Sequence, residues 1–380
     1  MPSRREFLSA AAVGATTLAA SNLLAKAPTS GDVMPTKGNV QEKPLPTNRK
    51  VEGRYHLPHR FGLGGVALGN GFAPTTDEQA EQTMAAAWEA GVRYFDTSPF
   101  YGYGLSERRM GHFLHRQPAE SYVLSTKVGR VFHATEKTLP PSLWKSPAPF
   151  AFKYDYTAEG TRRSIEDSLQ RLGVSQIDIV FIHDLSPDNE DLGENWTEQF
   201  DVAAKGAMPE LTKMRDEGVI KAWGFGVNRP EPALKALEVA DPDVFLLACQ
   251  YSLLDHQQAL EKTFPQLAEK KVPVVVGSPL LAGYLAGRDR YLYGDSVPEG
   301  AESKRQKVMA VADKFGIDLR TASLQFAAAS PVACSVIPGA RSAEQVRANV
   351  NSMKVAIPAD FWATLKEQKL IARDAPTPGA

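Results

Sequence analysis

The sequence predicts an α/β fold: a closed, parallel (β/α)8 barrel, the TIM barrel, with its active site at the C-terminal mouth. Short apolar segments recur from residue 60 onward, helical stretches separate them, and no shift in composition interrupts residues 60–370. Strand–helix alternation implies parallel β/α units, and eight of them in roughly 310 residues favour a closed ring over an open sheet.

The strand candidates are, in order, "FGLGGVALG" (61–69), "GVRYFDT" (91–97), "SYVLSTKVG" (121–129), "IDIVFIHD" (177–184), "IKAWGFGVN" (220–228), "VFLLACQYS" (244–252), "VPVVVGSPL" (272–280) and "ACSVIPGA" (333–340). Each is a short apolar run bounded by Gly, Pro, Asp or Ser, as buried parallel strands are. Helical periodicity falls between them at 76–90, 160–172, 200–217, 257–270 and 342–351. An open dinucleotide-binding sheet is the competing reading, because "GLGGVA" at 62–67 matches the glycine fingerprint. That fingerprint must open directly into a helix, whereas here it runs into "LGNGFAPTTDEQ".

The chain has 380 residues, 43% hydrophobic and 23% charged, with a formal net charge of −1. It is long enough to bury a large core, and it lacks the positive surplus that a nucleic-acid backbone or anionic membrane would attract. Residues 1–27 read as a twin-arginine signal: Arg4-Arg5 precedes the weakly apolar run "SAAAVGATTLAASNLLAKA". The run is too poorly apolar for a stable membrane span. The expected location is therefore periplasmic or otherwise exported, with the export machinery as partner. Proline-rich residues 28–55 read as a linker, and 56–375 as one barrel domain. Cys249 and Cys334 lie in apolar segments and read as two buried free thiols, and no metal site is expected.

Chemistry collects at the strand ends. Asp96 closes the second strand candidate, Lys127 the third and His183 the fourth, while Tyr101 follows Asp96 on the adjoining loop. In a parallel barrel these ends share one mouth. A phenol is a reluctant acid at neutral pH; a lysine cation beside it is expected to lower its pKa, and Asp96 to keep that lysine charged. His183 would hydrogen-bond a substrate oxygen and polarise a carbonyl. Such a set moves protons but no hydride, so a nicotinamide cofactor is implied.

The blocks "FDTSPFYGYGLSERRMG", "LSTKVGR", "SLQRLGVSQIDIVFIHD", "GFGVN" and "IPGARSAEQVRANV" occur in that order. Together they closely resemble the aldo-keto reductase superfamily, in particular the branch of D-threo-aldose dehydrogenases and related pyridoxal-oxidising enzymes. The resemblance implies an NAD(P)-dependent catalyst acting on a small carbonyl, alcohol or sugar, with Asp96, Tyr101, Lys127 and His183 as its tetrad. It implies that Asn228 and Gln250 hold the cofactor carboxamide, and that Ser278 and Leu280 meet the pyrophosphate. Gly339, Arg341, Gln345 and Asn349 would take the adenosine-phosphate end.

Two departures qualify it. Gly277 stands where many members place an aromatic ring under the nicotinamide. Basic residues common in NADP-preferring members are missing at Gly339 and Gln345, which leaves Arg341 and Arg347 to pair a 2′-phosphate and the choice of NAD or NADP open. Some relatives of this fold accompany ion channels, so a nucleotide-binding regulatory subunit is the alternative. The long connection 129–157 carries aromatic residues; Phe100, Trp144 and Phe152 are the candidate substrate contacts. The acidic insertion at 184–199 is placed only at the rim.

Overall fold

The computed structural model describes residues 33–48, 55–136, 142–294 and 296–379. Eight parallel strands form the barrel: β1 (Leu63–Gly64), β2 (Tyr94–Asp96), β3 (Val123–Val128), β6 (Ile179–His183), β7 (Ala222–Val227), β8 (Phe245–Ala248), β9 (Val274–Gly277) and β10 (Ala333–Ile337). They neighbour one another in that order. Parallel bridges Phe61–Val336 and Gly64–Gly339 close the ring, with Gly62 N donating to Val336 O at 2.9 Å. Every strand coincides with one of the eight apolar segments, because a strand covered by helices outside and side chains inside has no solvated face.

Helices α1 (Asp77–Glu89), α3 (Ala158–Leu172) and α10 (Ala343–Lys354) lie where periodicity placed them. A capping box at Thr76 and Gln79 starts α1, Thr157 caps α3 and Ser342 caps α10. The single helix expected over 200–217 is two, α4 (Trp196–Lys205) and α5 (Ala207–Asp216), broken at Gly206. The stretch 257–270 begins as a π-helical turn over Ala259–Thr263 before α7 (Phe264–Glu269). Further helices α2 (Leu105–Leu114), α6 (Glu231–Val239), α8 (Ala301–Lys314), α9 (Leu319–Ala329) and α11 (Ala359–Glu367) complete the outer layer.

Two apolar zones follow from the strand period of two. Inward residues Tyr94, Ile179, Phe181, Leu246 and Val275 fill the lumen, with Leu57 beside them. Outward residues such as Phe95, Leu124, Val180, Phe225 and Val276 pack under the helices.

Two expectations change. The connection 129–157 is not irregular throughout: its ends pair as an antiparallel hairpin, β4 (Arg130–Ala134) with β5 (Phe150–Tyr154). Its middle docks on the mouth, where Trp144 bridges Gly71 and Phe72 N donates to Leu143 O at 2.8 Å. The linker over 28–55 is also corrected for its described part. Residues 33–48 are fixed to the barrel: Lys37 N donates to Asp318 at 2.8 Å, Arg320 donates to Met34 O at 2.7 Å, and Val40 bridges Val355. Such bonds hold because the segment satisfies its backbone on the helices instead of on water. The compact unit accordingly runs from Val33. The signal at 1–27 lies outside the described residues.

Among the described residues no helix is long and apolar enough to cross a membrane, and no His/Cys/Asp/Glu group could hold a metal ion.

Candidate active site

Strand register brings the tetrad together. Asp96 pairs in register with Ser125, Lys127 with Phe181 and His183 with Gly226, so these four strands end at one level. Alternation along β3 points Ser125 and Lys127 inward, while Thr126 faces out to bond Glu107 at 2.7 Å. Gly226 makes room for the lysine: a Cβ there would lie 3.3 Å from Lys127 Cε and 3.1 Å from Phe181 Cβ.

Lys127 is almost wholly buried. Its ammonium donates to both Asp96 oxygens at 2.8 and 2.9 Å and to Thr97 O at 2.8 Å. Ser125 Oγ donates to Asp96 at 2.7 Å. Burial raises the Asp96 carboxyl above its usual value, and Lys127 and Ser125 oppose that rise. The ammonium also lies 4.8 Å from the centre of the Tyr101 ring.

Tyr101 is held half-buried between Lys127, the His183 ring at 5.8 Å and the Trp144 ring at 5.6 Å. Its phenol is not lowered, contrary to expectation. Burial is the largest cause and the Asp96 charge the next, and together they push it well above the usual value. The physical reason is that burial penalises the phenolate, while the lysine's charge is already engaged by a carboxylate at contact distance. Tyr101 is therefore a neutral acid throughout the physiological range.

His183 is buried, and burial, then Arg130 and Lys127, hold its imidazole well below the usual value. It is neutral. Nδ1 lies 3.1 Å from Ser98 Oγ and 3.5 Å from the Arg130 guanidinium, which can only donate. Nδ1 is therefore assigned as acceptor, and the proton sits on Nε2.

Arg130 was not singled out by sequence reasoning, although it ends the quoted block "LSTKVGR". It is buried, ion-paired to Asp184 Oδ2 at 2.9 Å, bonded to Tyr154 OH at 3.0 Å, and lies 4.0 Å from the Phe100 ring centre. The insertion at 184–199 thereby acquires a role: Asn189 holds Asp184 O at 2.8 Å, and Tyr154 donates to Asp191 at 2.9 Å.

Phe100, Trp144 and Phe152 do converge beside Tyr101, with Phe100 5.4 Å from Trp144 and 5.6 Å from Phe152. They meet edge to face and form a wall with Tyr103 and Phe132. Trp144 is buried within that wall.

The cofactor candidates line the opposite arc. Asn228 Nδ2 donates to Asp188 at 3.0 Å, and Gln250 donates to the Asn228 carbonyl at 2.5 Å. Both border a cavity of about 430 Å³ that also includes Cys249 and Tyr293. Ser278 Oγ is 3.1 Å from Tyr293 OH, and Leu280 is buried behind it. Gly277 accepts no ring, since even a Cβ would meet Ala248 Cβ at 2.9 Å. Tyr293, which sequence reasoning missed because it lies on the loop after β9, is an aromatic residue at this edge, with Tyr291 beside it.

Gly339 is exposed at the end of β10. Arg341 N donates to Gln345 at 2.9 Å, its guanidinium to Gly71 O at 3.0 Å, and Asn349 reaches Gly339 O at 3.5 Å. Arg347 instead turns to Glu89, at 4.0 Å. Arg290 is depressed by burial and by the like charges of Arg341 and Arg288, and its buried Nε has no hydrogen-bond partner. Converging cations with an orphaned donor fit a bound diphosphate, so Arg290 and Arg341 would hold a nicotinamide dinucleotide here, with Asn228 and Gln250 at its carboxamide. Cys249 and Cys334 are free and half-buried rather than fully buried, and burial pushes both thiols up to about 12, so they stay protonated.

The parallel barrel, the tyrosine–histidine pair at its mouth and the lysine–aspartate pair beneath define a nicotinamide-dependent carbonyl oxidoreductase. The Aldo/keto reductase family model matches residues 60–369, and the chain belongs to that family. It is 35% identical over 328 residues to the D-threo-aldose 1-dehydrogenase of a Pseudomonas species, covering 84% of this chain and 95% of the relative. It is 36% identical over 329 residues to the pyridoxal 4-dehydrogenase of Microbacterium luteolum, covering 82% and 94%. Among solved structures, the holo form of an aldo-keto reductase from Bacillus halodurans superposes with a TM-score of 0.63 at 23% identity, covering 89% of this chain and 96% of that one. A Klebsiella pneumoniae aldo/keto reductase in complex with NADP and acetate gives 0.57 at 20%, covering 85% and 93%.

Proposed function

We propose that the chain interconverts a small hydroxylated aldehyde or aldose with its oxidised or reduced partner. The placement of Tyr101 and His183 carries this reading: two neutral proton donors, one on the loop after β2 and one at the end of β6, with rings 5.8 Å apart at the mouth that Asn228 and Gln250 also border. The aldose and pyridoxal activities named for the relatives agree with it.

In the reducing direction the carbonyl oxygen accepts from His183 Nε2–H and the Tyr101 hydroxyl, which polarises the carbon. The bound nicotinamide supplies the hydride. Tyr101 then gives its proton to the alkoxide as charge develops, and water regains access to the half-exposed phenol to restore it. Asp96 and Lys127 fix the floor on which Tyr101 rests. In the oxidising direction the same phenol must first shed its proton, so high pH favours oxidation.

Cofactor absorbance under excess aldose, pyridoxal and simple aldehydes, with each coenzyme, tests the reading. Sustained turnover that disappears in Tyr101→Phe supports it. A single stoichiometric oxidation would identify a nucleotide-binding regulatory subunit instead.

We also propose export by the twin-arginine route, on the strength of Arg4-Arg5 and the mild apolar run behind it. That route carries folded proteins, which would let the cofactor be loaded before transport.

A further inference from the structure

The reaction accounts for Tyr101, His183, Lys127 and Asp96 but not for the charge beside them. Asp184 follows His183 directly, at the end of β6, and its backbone is left-handed (φ 47°), a conformation that aspartate tolerates better than most residues. Asn189 holds its carbonyl, and its own N–H donates to Gly226 O at 3.1 Å. The carboxylate is therefore aimed by its surroundings. Arg130 takes Oδ2 at 2.9 Å. Oδ1 faces the reaction centre, 3.5 Å from His183 Nε2, too far for a good hydrogen bond. The Asp184 side chain is 22% exposed. Its charge is felt by Tyr101, Cys249 and Tyr293, which reach the mouth from three other strands.

We infer that Asp184 Oδ1 is a hydroxyl reader: it accepts a hydrogen bond from a substrate hydroxyl on the carbon next to the reacting carbonyl, selecting 2-hydroxy carbonyl compounds over simple ones. The inference rests on the oxidoreductase reading above. A carbonyl oxygen that accepts from His183 Nε2–H on its Asp184 side is brought close to Oδ1, which lies 3.5 Å from that nitrogen. Oxygens on adjacent carbons are about a hydrogen-bond length apart, so the neighbouring hydroxyl falls where Oδ1 can accept it. A carboxylate only accepts, and a hydroxyl is the donor a sugar or hydroxy-aldehyde brings. A plain alkyl aldehyde would instead strip water from Oδ1 and return nothing. Arg130 keeps the carboxylate in place from behind, so Arg130 is a positioning residue.

The test compares kcat/KM for 2-hydroxypropanal, 3-hydroxypropanal and propanal, which differ only in the presence and position of one hydroxyl. The wild type should prefer the 2-hydroxy compound over propanal by about 10- to 100-fold, the range of one charge-assisted hydrogen bond, with 3-hydroxypropanal close to propanal. Asp184→Ala should reduce that ratio to within about threefold of unity. Asp184→Ala leaves Arg130 buried without its carboxylate and can fold poorly, so Asp184→Ala with Arg130→Met is measured as well, each variant checked for cofactor binding by quenching of tryptophan fluorescence. A general loss from misplacing His183 lowers all three substrates together and cancels in the ratio. Turnover of none of the aldehydes by the wild type would overturn the oxidoreductase reading and this inference with it. Turnover without a 2-hydroxy preference, or a full preference surviving in the double variant, would overturn the role of Asp184 alone.

Discussion

Lys127 and Asp96 meet through both carboxylate oxygens, at 2.8 and 2.9 Å, while the same ammonium lies 4.8 Å from the centre of the Tyr101 ring. The cation is thus committed to the carboxylate, and Tyr101 rests on a nearly neutral pair. Burial first, and then the Asp96 charge, make this a phenol that keeps its proton. The proton is consequently present on Tyr101 at neutral pH, ready for transfer to an alkoxide, and is hard to remove without one.

Tyr101→Phe removes the acid but keeps the ring. Turnover should fall by about 10²- to 10⁴-fold, the usual contribution of general acid–base catalysis, with cofactor affinity nearly unchanged. Stopped-flow reduction and a fluorescence titration separate the two effects. Loss of binding instead would place Tyr101 in the cofactor site.

Lys127→Met should be at least as damaging to turnover and should also destabilise the fold. It leaves Asp96 buried and unpaired, a change that typically costs about 3–5 kcal/mol. Adding Asp96→Asn removes the orphaned charge, so the double variant should recover much of the stability and little of the activity. Urea unfolding of the three variants checks this.

For His183, folding holds the imidazole below its ordinary value, so the unfolded chain binds the extra proton first as pH falls. Its contribution to stability is present above about pH 6.5 and is lost as pH drops toward the folded value. His183→Gln should flatten the stability profile below about pH 6.5. In the wild type the acid limb of kcat/KM should lie below that value, and a limb near neutrality would contradict a neutral His183.

At the cofactor edge, Tyr293 stacks on Phe72 with ring centres 5.9 Å apart, joining the loops after β9 and β1 across the mouth. Tyr293→Ala breaks a contact worth about 0.5–1.5 kcal/mol and should speed cofactor release by about two- to tenfold. Rapid-mixing measurement of the release rate reads it directly, and an unchanged rate would show that the two loops do not restrain the cofactor.

Replacing Arg4 and Arg5 with lysine should retain the protein inside the producing cell if the twin-arginine route carries it. Undiminished export of that variant, followed by fractionation, would refute the route.

Much of this architecture was legible because strands ending in a functional residue carry a local signature. "YFD" and "IVFIH" are each an apolar run with one polar terminus, "VLSTK" is an apolar start that turns polar toward its lysine, and a parallel barrel gathers such termini at one mouth. The hairpin inside 129–157 was not legible, since its strands Arg130–Ala134 and Phe150–Tyr154 are well separated in sequence, and the rings of Phe100 and Tyr103 that pack on Phe152 and Phe132 come from another loop. The fixed segment 33–48 was equally hidden: its partners Asp318, Arg320 and Val355 are hundreds of residues away. The lowered phenol was an expectation wrong in direction, because burial of the ring is not visible in the sequence. Sequence reasoning supplied the cation but not the distance at which Asp96 engages it.

What the amino-acid order determined alone is the succession of eight β/α units, the three polar groups that end strands and the tyrosine on the adjoining loop, because burial pattern and strand period are local properties of the chain. What only the tertiary structure decided is the state of those groups: the tautomer of His183, the neutrality of Tyr101, and the pairing of Arg130 with Asp184. Each depends on desolvation and on charges contributed by other strands, and electrostatic energy at a few ångströms is set by distance and dielectric, neither of which is written in the linear order of residues.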